Sequence, residues 1–146
     1  MNKACEMTKQ YAPLIGRILL ALIFIIAGFG KITAYQATAG YMADHGLPIA
    51  QALLVPVIFI EFGGGLMLLL GWKARWAALA IFLFIIPTTL IFHPFWVADE
   101  AQMQNQINFL KNLAIMGGML YVMAYGSGPY SLGKKDKCGE MMGEKS

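Results

Sequence analysis

Charge is scarce in this chain. Only 13% of its 146 residues are Asp, Glu, Lys or Arg, and 58% are hydrophobic, where a soluble domain carries roughly 25% and 45–50%. That scarcity excludes an ordinary water-soluble fold and leaves a membrane composition. A formal net charge of +3 gives no reason to expect nucleic acid as a partner. Cysteine is almost missing: Cys5 and Cys138 stand in opposite polar tails with no ligand spacing around either, and they are read as free thiols. The sequence has no His-Glu-x-x-His run, nucleophile elbow, phosphate loop or metal-ligand cluster. His93 is the one histidine inside an apolar segment, which argues against a bis-His haem site. No intrinsic cofactor and no metal are therefore expected, nor is there a repeat or a second domain.

What the chain does have is four apolar segments, about Leu14–Ile32, Ile49–Trp72, Ala77–Val97 and Ile107–Tyr125. Each has about the 20 residues that a helix needs to cross a hydrocarbon core of about 30 Å. A lipid-facing barrel would alternate polar and apolar residues, and these runs do not. The fold class expected is all-α, an integral membrane four-helix bundle. A tail at 1–13, the bundle at 14–133 and a charged tail at 134–146 complete the organisation. Trp72, Trp76 and Trp96 fall near segment ends, as interfacial anchors do. Lys31 intervenes before any cleavage site behind the first segment, so that helix is expected to be retained.

Nine of the eleven basic residues, Lys3, Lys9, Arg17, Lys73, Arg75, Lys134, Lys135, Lys137 and Lys145, fall on one side of such a four-span chain. Asp44, Asp99 and Glu100 fall on the other. The bias predicts both termini in the cytoplasm.

The remaining charges lie inside the segments. Glu61, in "IEFGGGLMLLLG", comes near mid-membrane, with Lys31, His93, Lys111 and Asn112 in the outer half. An ionisable group at the bilayer centre costs at least about 2.5–3.5 kcal/mol, so it should face the bundle interior and take a partner. For Glu61 the candidates are Lys31 and Lys111. Arg17, near the cytoplasmic border, is expected to snorkel. Gly28 shares a stripe with Arg17 and Lys31, Gly64 and Gly65 share one with Glu61, and Gly118 shares one with Lys111. Small residues let helices approach in lipid, so these four glycines are read as packing positions, with Gly63 beside them. Pro56 and Pro87 are read as kinks within their spans.

Three stretches, "RILLALIFIIAGFGKI", "IEFGGGLMLLLGWKARWAAL" and "FLKNLAIMGGMLYVMAYGSGPYSL", resemble the signatures of the DoxX family of small four-span membrane proteins, over roughly Tyr11 to Gly133. Many of that family carry an acidic residue after "SL", where this chain has Gly133. The resemblance implies a bacterial inner-membrane protein tied to quinol oxidase, thiosulfate:quinone or thiol redox systems.

The leading expectation is an accessory subunit that binds a quinone through Lys31, Glu61, His93, Lys111 and Asn112. A membrane or soluble redox partner protein would supply electrons. Two other classes stay open: an anchor or assembly subunit whose polar cluster only fixes helix register, and a small-anion transporter, which would require a homo-oligomer of so short a chain.

Overall fold

The computed structural model describes residues 3–97 and 100–133. The tail at 134–146, with Cys138, and Asp99 lie outside them. The described residues form five helices and no strand: α1 (Lys3–Thr33), α2 (Tyr35–Asp44), α3 (Ala50–Leu70), α4 (Ala74–Phe92) and α5 (Gln102–Tyr125). All but α2 are long and apolar enough to cross a membrane. The molecule is an all-α membrane bundle in which α1 packs on α3, α3 on α4 and α4 on α5.

The ends of these helices have local causes. Gly46 (φ 79°) and Gly71 (φ 68°) take the left-handed conformation just past α2 and α3. The next amide in each case returns to a carbonyl five residues back, Leu47 to Met42 and Trp72 to Met67. This is the Schellman stop, which glycine makes cheap. Helix α4 ends at Phe92, earlier than the apolar run suggests, because Pro94 disfavours helical backbone at His93. Helix α1 begins at Lys3, well before its apolar run, and passes through Pro13. The stretch between the first two spans, read as a polar connection, is instead the helix α2. Its Ala39 and Met42 are buried with Ala50 and Leu54 of α3.

Most of the core lies in the half of the bundle nearer the termini. Ala21 and Phe24 of α1 meet Leu68 of α3, Ala74, Ala78 and Ile81 of α4, and Met119 and Val122 of α5. Large apolar side chains cover the outside, among them Ile26, Phe59, Leu83, Leu113 and Tyr121. Such a surface suits lipid, where it is the solvent-matched one. All three tryptophans are exposed, Trp72 and Trp76 at the terminal end and Trp96 at the loop end.

Helices α1 and α3 approach until backbone meets backbone. A methyl group on Gly28 would lie 2.7 Å from Phe62 Cβ and 2.8 Å from its amide nitrogen, and one on Gly65 would lie 2.9 Å from Ile25 Cγ1. Gly64 sits against Ile81 and Gly118 against Leu20, both at 3.1 Å. Gly63 faces open space, so the approach beside Glu61 runs through its two successors and not through Gly63.

Arg17 does not snorkel. It is 2% exposed, and its guanidinium donates to the carbonyls of Ser127 and, at 2.9 Å, Tyr130. The segment after α5 folds back across the terminal end. Leu132 and Gly133 donate to Leu70 and Gly71 at 3.0 and 3.2 Å, Gly128 rests on Pro13, and Tyr130 stacks on Tyr11. Gly71 leaves room for the guanidinium: a methyl there would lie 2.5 Å from Arg17 Nη1. The C-terminal ends of α3 and α5 both converge here, and their partial negative charge favours a cation. Arg75 adds a hydrogen bond to the Met123 carbonyl at 3.0 Å.

Two predictions follow from this packing. Gly28→Ala or Gly65→Ala should lower stability by about 1–3 kcal/mol, while Gly63→Ala and Gly117→Ala, which meet nothing within 4 Å, should change it by less than about 0.5 kcal/mol; reversible unfolding in mixed micelles measures both. Arg17→Met should strand two carbonyls at about 1–3 kcal/mol each and raise hydrogen exchange at the Leu132 and Gly133 amides.

Candidate functional site

In the half of the bundle away from the termini, one ion pair joins α1 to α3. Lys31 Nζ lies 2.7 Å from Glu61 Oε2. The Glu61 side chain is 8% exposed and that of Lys31 is 27% exposed, so the carboxylate is enclosed and the ammonium stands at the edge. Of the two lysines the sequence offered, Lys31 is the partner.

The backbone carrying Glu61 is unusual. Phe59–Gly63 forms a π turn within α3, between α-helical Ala50–Ile58 and Gly64–Leu70. Such wider turns are rare and recur at functional sites. Pro56, one turn earlier, cannot donate to the ladder and crowds the carbonyl four residues back.

Beside the pair lies a cavity of about 390 Å³ between α3 and α4, roofed by α2. Lys31 comes from α1, Tyr41 and Met42 from α2, Pro56, Ile60 and Glu61 from α3, Pro87 and Thr88 from α4, and His93 from the turn just past α4. The two prolines therefore line the same space. Tyr41 stacks on Phe92 with centroids 5.6 Å apart, and His45 leans on both rings, fastening α2 to the end of α4. The Nδ1 atom of His93 is buried without a hydrogen-bond partner. Asn105 and Lys111 of α5 and His45, just past α2, are its polar neighbours.

The structure thus brings Lys31, Glu61 and His93 to one cavity and leaves two other candidates outside it. Asn112 donates to Thr89 Oγ1 at 2.9 Å and ties α5 to α4. Lys111 is exposed, with its ammonium 3.2 Å from Asn108 Oδ1. Sequence reasoning missed Tyr41, hidden in a segment read as a connection, and Thr88, whose hydroxyl donates to Phe84 O at 2.8 Å. A Tyr35, Ala39, Met42 spacing was the signal available for α2. Nothing in the residues around Thr88 distinguished it.

Chemically, the pair offers a donor and an acceptor side by side in apolar walls. Lys31 has three N–H donors and gives one to Glu61, whose second oxygen remains an acceptor. Among the described residues no group of three His, Cys, Asp or Glu is placed to hold a metal ion.

Comparison with known proteins bears on the whole chain. The DoxX family model matches residues 12–94, more than half of the chain and its first three spans. The chain is 41% identical over 124 residues to Inner membrane protein YqjF of Escherichia coli, covering 85% of this chain and 91% of that protein. It is 33% identical over 123 residues to Inner membrane protein YphA of the same organism, covering 84% and 88%. A more distant likeness is to the Surfeit locus protein 4 homolog of Schizosaccharomyces pombe, 26% over 132 residues, with 88% of this chain and 39% of that protein covered. No solved structure matches. On the extent of the family match and the full-length likeness to two relatives, this chain belongs to the DoxX family.

Proposed function

We propose that this protein is a bacterial inner-membrane accessory subunit of a quinone-linked redox system, and that its cavity takes the quinone head. The observation that carries the reading is the Lys31–Glu61 pair, 2.7 Å long, at the wall of an otherwise apolar cavity. Ligand sites are typically apolar clefts of about 300–1,000 Å³ with a few placed polar groups, and about 390 Å³ falls at the small end. A quinone ring presents carbonyl oxygens on an apolar body. Lys31 is placed to donate to one of them, and Glu61 and His93 are the titratable groups on the same wall space. Two-electron reduction also takes up two protons, for which these groups form the local relay. The electrons come from a partner protein.

The inner-membrane placement draws on the names of the two Escherichia coli relatives and on the four apolar spans. With both termini cytoplasmic, the cavity lies in the outer half. Paired C-terminal reporters test this: a fluorescent fusion should glow and a phosphatase fusion, active only when exported, should be silent, and the reverse would invert the site's orientation.

The competing reading is an assembly subunit in which the pair is only packing glue, and the Gly28–Phe62 contact beside it favours that role for part of its energy. Extraction of quinone from protein purified in mild detergent separates the two. Bound quinone is expected in the wild type, with affinity about 10-fold or more weaker in Lys31→Met, from loss of a charged hydrogen bond. Glu61→Gln keeps the shape and should retain the fold. Wild type without quinone, or both variants retaining it undiminished, would leave the packing role.

A further inference from the structure

Among the described residues the second intramembrane lysine has no acid of its own, and its surroundings say why. Lys111, Ile115 and Gly118 share one stripe of α5. At Gly118 that stripe is sealed against α1, where an added methyl would lie 3.1 Å from Leu20 Cδ2. Two turns nearer the loop end the stripe is open: Lys111 and Ala114, one turn apart on α5, are exposed. Helix α5 is also the least enclosed of the four spans.

A cation at this depth in lipid takes a carboxylate when one is offered. Within the chain, among the described residues, the acid at the level of the spans' outer halves is Glu61, and Lys31 holds it. A second copy brings the same occupied Glu61 and another Lys111, so self-association leaves the charge unanswered. We infer that the open face of α5 around Lys111 is a docking surface for a transmembrane helix of a different protein, one that carries a single Asp or Glu at the depth of Lys111. Ala114, one turn on, admits the incoming backbone, and the carboxylate pairs with the ammonium. This inference stands on residues other than the cavity's and survives if no quinone binds.

The test uses the full chain reconstituted in phosphatidylcholine vesicles, with a synthetic leucine–alanine transmembrane peptide bearing one Glu at matching depth, and its Gln counterpart. Energy transfer between labels reads association. The Glu peptide should associate roughly 5- to 30-fold more tightly than the Gln peptide, the range of interhelical polar pairs. Lys111→Gln should erase the difference, and Lys111→Glu should transfer the preference to a Lys peptide. Lys111 is exposed, so circular dichroism and melting confirm that the variants fold. Equal binding of the two peptides, or a preference that persists in Lys111→Gln, overturns the inference. So does a Lys111-dependent enrichment of phosphatidylglycerol around the protein with no peptide preference, which would assign the lysine to a lipid headgroup.

Discussion

The hydrocarbon interior withholds water from every polar group, and in this bundle that constraint is met where α1 crosses α3. Glu61 adjoins Phe62, and Phe62 is the residue that touches Gly28. Lys31 stands one turn after Gly28. The close backbone approach and the ion pair are therefore one contact seen at two radii: without a bare Cα at position 28 the helices would separate, and the ammonium would no longer reach the carboxylate. A buried pair is a weak source of net stability, because desolvation offsets attraction. Its stronger effect is on register, since a shift of α1 along α3 by one turn leaves a lone carboxylate in oil.

Arg17 and Lys31 are satisfied in different ways, and the side chains suit the difference. Lys31 presents a compact charge to one oxygen. Arg17 spreads its charge over a fork that reaches two carbonyls, Ser127 and Tyr130, in a turn that no single-point donor would span. The converging ends of α3 and α5 supply the negative potential that a carboxylate supplies at Lys31. Helix geometry thus stands in for an acid at the terminal end.

The four spans and their contents were legible because length and continuous apolarity are properties of each segment alone. So was the need of Glu61 for a cation. What could not be read was which of two lysines would meet it, since depth along a helix ranks them equally and only the crossing point decides. Arg17 failed for a related reason: its depth suggested an escape to the headgroups, but the turn at 126–133 folds over that exit, and the contact joins residues more than a hundred positions apart. Helix α2 escaped notice because its few buried positions, Ala39 and Met42, are small or flexible and sit among polar residues. The π turn leaves no periodic signature at all, being a change of one residue in one turn.

The division of the bundle into a packed half and an open half gives the site its setting. The main core, from Ala21 and Phe24 to Met119 and Val122, fills the terminal half. Among the described residues the loop half holds the smaller cluster of Ala39, Met42, Ala50 and Leu54, the Tyr41–Phe92 stack and the rings of Phe95, Trp96 and Phe109. Pro56 and Pro87, each breaking its own ladder, face the gap between α3 and α4, so the helices are least regular where they are least packed. Segments with few buried apolar contacts open at lower free energy than the core around them. Three aromatic rings hold α2 over this gap, while the Gly28–Phe62 and Gly65–Ile25 contacts fix the crossing of α1 and α3 that carries Lys31 and Glu61.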